Sequence, residues 1–388
     1  MRQTFEQFTG TRYWPQLDGL RTVSILLVIV GHMNDPFWGP IEGSTGVIMF
    51  FVISGFLITS LLIREEERSG RVSLSSFYIR RIFRIVPMYM LALAVMSVLI
   101  FVAHQGDASS FAYRLPFLLT FNGEFVQYGT FVHAWSIGVE EKFYILWPLL
   151  AFTFLALRRR RAGILSVAVP LVIVAALVPA TSYAGMYVGI LLGCALSVAM
   201  HNRRGFNVVS RLASPAIGTA LVCVMLIALA IKYVVPALDN DTYVRIVFAF
   251  AVVLVFPFLV VGGGWLTRGV GWRPLAFIGT RTYGIYLFHA LCIDLVGRAI
   301  PDGQGEAGLA SVRLVLSLVL SYGVAEILFR TFENPLILIG RKLARRATPR
   351  RRALPVDLGR DVPSVGASER GREPHHRPEP VDHHRPER

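Results

Sequence analysis

Long apolar blocks, separated by short polar segments rich in arginine, fill the first 330 residues of the chain. A helix that crosses a bilayer needs about 20 predominantly apolar residues. On that measure the pattern predicts ten spans, near 17–34, 46–63, 86–104, 134–157, 162–179, 183–200, 214–232, 245–262, 274–297 and 312–330. Pro170 and Pro179 blur the fifth, and the first is unlike the rest. Its stretch LDGLRTVSILLVIVGHM, residues 17–33, leaves only ten residues between Arg21 and His32. If it spans, one or both of these ionisable groups sits inside the membrane, where such groups are costly and mark functional paths.

Alternate connecting segments differ sharply in charge. With the N-terminus cytoplasmic, the inner segments carry 26 Lys and Arg residues and the outer ones five. That asymmetry predicts both termini inside, an even number of spans, and a multi-pass protein of the cell inner (plasma) membrane. No small-residue cleavage site follows the first block, so that helix is expected to stay in the mature protein. Composition agrees: 54% of the 388 residues are hydrophobic and 16% charged, more apolar surface than one soluble core of this length hides. The fold class expected is therefore an all-α polytopic membrane protein.

The net charge of +14 follows from these loops and gives no reason to expect nucleic acid. Cys194, Cys223 and Cys292 lie far apart in apolar blocks, with no CxxC spacing, and read as small buried hydrophobes rather than a disulfide or metal framework. Two regions are expected: a membrane domain over 1–340 and a charged, Pro/His-rich disordered cytoplasmic tail over 345–388. The tail's HHRPEP and HHRPER echo could bind metal weakly, but a passive polar tail is the simpler reading. No internal repeat relates the two halves, which argues against a transporter built from inverted repeats. Gly185, Gly189 and Gly193, four residues apart, form a stripe suited to close helix packing.

Four groups stand out as chemistry-bearing. Arg21 and His32 are eleven residues apart, which puts them on one helix face, three turns and about 16 Å from each other. Asp18 is placed to pair with Arg21. Snorkelling of Arg21 and capping by His32 is the alternative role on spacing alone. In SFYIRRIFRIVP, Arg80, Arg81 and Arg84 cluster before the third span. Positive-inside bias accounts for part of this, and a phosphate-rich cytoplasmic ligand for the rest. In HAWSIGVEEKFYILWPLL, Glu140 and Glu141 open the fourth span near its outer end, as a carboxylate site or as an interfacial cap beside Lys142. In GIYLFHALCID, His289 falls in the middle or outer half of the ninth span, where hydrogen-bonded packing is the commoner role.

Together these motifs resemble the acyltransferase-3 family of integral membrane O-acyltransferases. LDGLRTVSILLVIVGH is similar to its opening Arg-x10-His signature, and GVIMFFVISGFLIT to its Phe-Phe-x-x-Ser-Gly-Phe-Leu segment. FYIRRIFRIVP resembles its Arg-x-x-Arg motif, WSIGVEEKFYILWP its Trp-Ser…Glu…Phe-Tyr…Pro block, and TYGIYLFH and FENP its last landmarks. The resemblance covers about residues 13–340 and implies a ten-helix membrane fold. It implies no permanently bound cofactor, and acyl-coenzyme A, with acetyl-coenzyme A expected, as cytoplasmic donor substrate. The acceptor it implies is a hydroxyl of a cell-envelope glycan, a lipid-linked sugar or a secondary metabolite.

By position the resemblance makes Arg21 and His32 functional, Arg81 and Arg84 the inner arginine pair beside Arg80, and Glu140 the acidic residue. Ser54 matches a family serine, though beside Gly55 a packing role is as reasonable, and no GxSxG is present. The mechanism expected is direct transfer. His32 acts as general base on the acceptor hydroxyl, Glu140 orients or neutralises the imidazole, Arg81 and Arg84 hold the coenzyme phosphates, and Arg21 lines the path. Some family members carry a further extracytoplasmic hydrolase-like domain, for which this sequence has only the short tail. The rivals are O-acylation of a macrolide-type metabolite and, in a different class, a transporter or flippase of a lipid-linked sugar.

Overall fold

Each of the ten apolar blocks contains a helix. The structure is a computed structural model that describes residues 2–39, 41–126, 128–153, 159–178, 184–234, 241–300 and 306–347. In chain order its helices begin with α1 (Phe5–Gly10), α2 (Pro15–Gly31), α3 (Gly43–Ser69), α4 (Leu74–Ser97) and α5 (Ala108–Leu119). There follow α6 (Trp135–Phe152), α7 (Arg161–Leu177), α8 (Val188–Met200), α9 (Arg203–Val209), α10 (Pro215–Val234) and α11 (Asp241–Val261). The last are α12 (Trp265–Val270), α13 (Arg273–Gly279), α14 (Thr282–Ala299), α15 (Ala307–Leu328) and α16 (Asn334–Ala347). No strand occurs among the described residues, so the fold is all-α.

Three described stretches are long and apolar enough to cross a membrane: Gly43–Ser69, Leu74–Val102 and Ala307–Ala347. Ala184–Met200 and Arg203–Ala213, bent by 114°, make a fourth if taken as one. The first block does not qualify, because α2 has only 17 residues. The ninth block is not one helix either. It breaks at Thr280 and Arg281 into α13 and α14. A further helix, α5, occupies the loop expected between the third and fourth blocks, started by Asp107, whose carboxylate accepts from the Ser109 and Ser110 N–H groups. At the other end α16 runs through Ala347, beyond the expected domain end at 340. The disordered tail expected there lies, from residue 348 on, outside the described residues.

Helix α3 is the central element, with α2 against it and α8 beside it. Small residues set both approaches. A Cβ on Gly193 would stand 2.3 Å from the Val52 carbonyl oxygen, and one on Gly55 would stand 2.0 Å from that of Ile190. The glycine stripe expected from spacing is thus a packing stripe for α3 at Gly189 and Gly193, while Gly185 lies against Ala176. Helices α4 and α14 close the other side of α2 and α3, backed by α16 and α15. The helices surround a polar interior because α2, α3, α4, α6 and α14 each turn one ionisable or hydroxyl-bearing face inward, as their shared lining of the cavities below records.

Candidate active site

Pro15, with its preset φ, opens α2, and the helix ends as His32 leaves helical geometry. Arg21 therefore stands in the first half of α2 and His32 caps its end, with about 16 Å of rise between them. Arg21 pairs with Asp18 at 2.8 Å, as its i,i+3 spacing predicts. The His32 Nδ1 lies 2.7 Å from the Val28 carbonyl oxygen. A carbonyl can only accept, so Nδ1 carries the proton and the lone pair of the neutral ring is on Nε2.

Two chambers lie end to end along α2. The first, about 720 Å³ of empty space, is lined by Arg21, Ser54, Arg81, Arg84, Glu140 and Tyr144 among others. Arg81 and Arg84 are three apart on α4 and reach it together. Among the described residues neither guanidinium has a hydrogen-bond or ion-pair partner. Arg81 lies over the rings of Phe77 and Tyr144, at 5.5 and 5.2 Å. Two such cations facing a cavity favour an anion strongly, since an unpaired charge away from bulk water is costly. Arg80 does not join them. It is half-exposed, turned away round the helix, and lies 3.6 Å from Glu65.

Beyond Arg21 and Arg84 this chamber adjoins a wide vestibule of about 1190 Å³ that those two residues also line. Arg12, Arg281 and Arg341 add three further arginines there, against the carboxylates of Asp18 and Glu333.

The second chamber, about 630 Å³, is lined by His32, His133, Trp135, Arg245 and Tyr286 among others. Val47 and Tyr286 line both chambers and form the partition. The Tyr286 hydroxyl is anchored in it, 2.6 Å from the Ser136 hydroxyl and 2.6 Å from the His133 carbonyl oxygen to which it donates. Three imidazoles gather here. The His289 ring lies 5.0 Å from that of His32 and 4.8 Å from that of His133, and the His32 and His133 rings are 6.4 Å apart. His289 is fully buried, with Nδ1 2.6 Å from the Tyr286 carbonyl oxygen. The Nε2 atoms of His133 and His289 are both buried without a hydrogen-bond partner. Among the described residues no group of three His, Cys, Asp or Glu side chains has metal-site geometry.

Glu140 departs from expectation. It is not beside His32 but in the arginine chamber, where Ser54 and Tyr144 both donate to its Oε1, Tyr144 at 2.7 Å. The reason is the start of α6. The helix begins at Trp135 after a tight turn at Val132–Ala134, so His133 sits at the level of His32. Ser136 then reaches the partition, and Glu140, one turn further on the same face, lies past it. The Val28 carbonyl, not Glu140, orients the His32 ring. Glu141 is not in the linings of either chamber, and Lys142 pairs with buried Glu124 at 2.5 Å rather than with a neighbour on α6. Ser54, left open from sequence, faces the cavity and is tied to Glu140.

The whole arrangement thus puts Arg81 and Arg84 at one end, the His32 imidazole at the other, and Val47 and Tyr286 between the two chambers. The sequence profile of the acyltransferase-3 family, described as an acyltransferase domain, matches residues 14–328. The chain belongs to the acyltransferase-3 family. The peptidoglycan O-acetyltransferase OatA of Listeria monocytogenes is 28% identical over 355 residues, covering 84% of this chain and 56% of that protein. A Bacillus subtilis protein provisionally named a peptidoglycan O-acetyltransferase is 29% identical over 356 residues, 84% of this chain and 55% of its own length. A Staphylococcus aureus protein provisionally named an O-acetyltransferase is 26% identical over 370 residues, 85% of this chain and 58% of its own. The chain therefore spans little more than half the length of these relatives. No solved structure matches it significantly. The matched region contains Arg21, His32, Ser54, Arg81, Arg84, Glu140 and His289, and also His133, which no motif in the sequence singles out.

Proposed function

We propose that the protein is a membrane O-acyltransferase that moves an acetyl or other acyl group from cytoplasmic acyl-coenzyme A to a hydroxyl of a cell-envelope glycan. The observation that carries this reading is the pair of abutting chambers, one with unpaired arginines and one with His32, joined at Val47 and Tyr286. The relatives named as peptidoglycan O-acetyltransferases support a glycan acceptor. In this reading ten helices cross the plasma membrane, both termini are cytoplasmic, the arginine end faces the cytoplasm and the histidine end faces outward.

Coenzyme A carries its charge on a nucleotide and its reactive carbonyl at the end of a flexible arm. The vestibule arginines and the Arg81/Arg84 pair suit the phosphates, because guanidinium forks bind phosphate oxygens by charge-assisted hydrogen bonds. The arm lies along Arg21 and passes Tyr286. The acceptor oxygen attacks the thioester carbonyl carbon, its proton goes to His32 Nε2, the carbon–sulfur bond breaks, and the proton then passes to the departing thiolate. Nδ1 keeps its bond to Val28 throughout, which holds the ring still and stabilises its charged form. Glu140 acts on the donor side, fixing Ser54 and Tyr144 beside the arginines.

Gly43 packs against the base. A Cβ there would lie 3.1 Å from His32 Nδ1, 3.2 Å from Cε1 and 3.3 Å from the Val28 oxygen. Gly43→Ala is expected to push the ring off its Val28 anchor and lower turnover by about tenfold to a hundredfold, since small misplacements of a catalytic group are expensive. Steady-state kinetics of the variant beside wild type measures it. The reading itself is tested by thiol release from acetyl-coenzyme A by the purified protein, with and without a soluble glycan oligomer. Glycan-dependent release, with acetate recovered as ester on the sugar, is expected. No thioester consumption with any glycan overturns it.

A further inference from the structure

We propose that a separate cavity at the histidine end, with Asp294 and Arg298 at its mouth and His133 at its floor, is the subsite for the acceptor sugar, and that His133 positions the reacting hydroxyl against His32. The proposal rests on the acyl-transfer reading above and assigns the acceptor's place within it. The cavity holds about 800 Å³ of empty space, room for more than one sugar ring. His133 is the one residue that its lining shares with that of the His32 chamber. Whatever fills this cavity therefore meets the base's chamber at that imidazole.

One face of α14 builds the wall. Leu287, Leu291, Asp294 and Arg298, at spacings of four, three and four, form a stripe that turns from apolar at depth to charged at the mouth. Asp294 and Arg298 are half-exposed, whereas His133 is 4% exposed. The mouth is neutral in sum: Arg298 pairs with Asp294 at 2.7 Å and donates to the Gln105 side-chain oxygen at 2.5 Å. It thus offers fixed donors and acceptors together, which match sugar hydroxyls, and the leucines below match the C–H face of a ring. A phosphate would meet the Asp294 carboxylate here, and the arginine vestibule at the opposite end already has the excess of cations that an anion needs.

At the floor, His133 Nε2 is buried and has no partner. His133 lines both cavities, and an imidazole offers a hydroxyl one nitrogen that accepts and one that donates. The partition contact from Tyr286 holds the His133 backbone, so the ring is presented at a fixed depth. The His133 and His32 rings are 6.4 Å apart centre to centre, so a hydroxyl positioned by His133 comes within reach of the base's chamber.

The test uses the full chain in nanodiscs, acetyl-coenzyme A as donor, and two acceptors: soluble tetra-N-acetylchitotetraose and a polyprenyl-linked N-acetylated disaccharide. Asp294→Ala and Arg298→Ala are each expected to raise the acceptor KM about tenfold while the donor KM stays the same. A rise with both acceptors assigns the cavity to the sugar, and a rise with the lipid-linked one alone assigns it to membrane-borne sugar. His133→Gln is expected to lower kcat more than it raises acceptor KM. This split marks a positioning residue rather than a base. Wild-type transfer with unchanged acceptor KM in both mouth variants overturns the subsite and leaves the enzyme reading standing. Wild type that consumes no thioester, or that transfers to neither acceptor, overturns both.

Discussion

Replacing His32 with alanine is expected to lower turnover about a thousandfold, within the range that a positioned general base contributes, or ~4 kcal/mol of barrier. The acetyl-coenzyme A KM should stay near the wild-type value, because the proposed phosphate site is at the other end of α2. His32→Gln sharpens the point. Its amide can still donate to the Val28 carbonyl, where Nδ1 now lies at 2.7 Å, but it cannot take a proton. It should be as slow as alanine. Steady-state kinetics of the purified variants decides this. Either variant keeping more than a tenth of wild-type turnover removes His32 from the role of base.

The second large effect lies at the arginine end. Arg81→Ala with Arg84→Ala is expected to raise the acetyl-coenzyme A KM by roughly a hundredfold, the scale of losing charge-assisted contacts to phosphate. Stability should move the other way or not at all. Neither guanidinium has a hydrogen-bond or ion-pair partner among the described residues, so the substitutions break no direct contact, and burial of the two charges outweighs their longer-range attraction to Glu140 and Glu333. The expected pair of results is a weakened donor and an unchanged or raised thermal midpoint, read by kinetics and by thermal unfolding of the same preparation. A lowered midpoint with an unchanged donor KM would make the two arginines structural. Arg80→Ala is the matched comparison, since that side chain turns to Glu65 and should leave the donor KM alone.

Much of this site was legible in the sequence because helix geometry is regular. The spacing of Arg21 and His32 placed both on one face, and α2 keeps them there. Asp18 met Arg21 as an i,i+3 pair should. The two-ended layout, cations at one end and histidines at the other, was also readable from the order of the apolar blocks. What could not be read was depth across helices. Glu140 was expected beside His32 because both were placed near the outer face. The tight turn at Val132–Ala134 shifts α6 so that Glu140 passes the Tyr286 partition and joins the arginines. The same shift raises His133 to the level of His32, and nothing in its local sequence distinguishes it from an interfacial residue before Trp135. His289 read as packing, and its approach to His32 depends on the break at Thr280 and Arg281 that sets the register of α14. The cluster of Arg80, Arg81 and Arg84 looked like one group in the chain, but only Arg81 and Arg84 line the cavity, while Arg80 turns to Glu65.

The central claim is that an acyl group handed in at the arginine end leaves on a hydroxyl at the histidine end. The most direct measurement is transfer across a sealed bilayer. Proteoliposomes of the purified protein would trap a soluble N-acetylated glycan oligomer inside, with radiolabelled acetyl-coenzyme A added outside. The account predicts labelled ester on the trapped glycan from molecules whose arginine end faces out, with intact coenzyme A still excluded. Label that reaches glycan only when donor and acceptor share one compartment would contradict it.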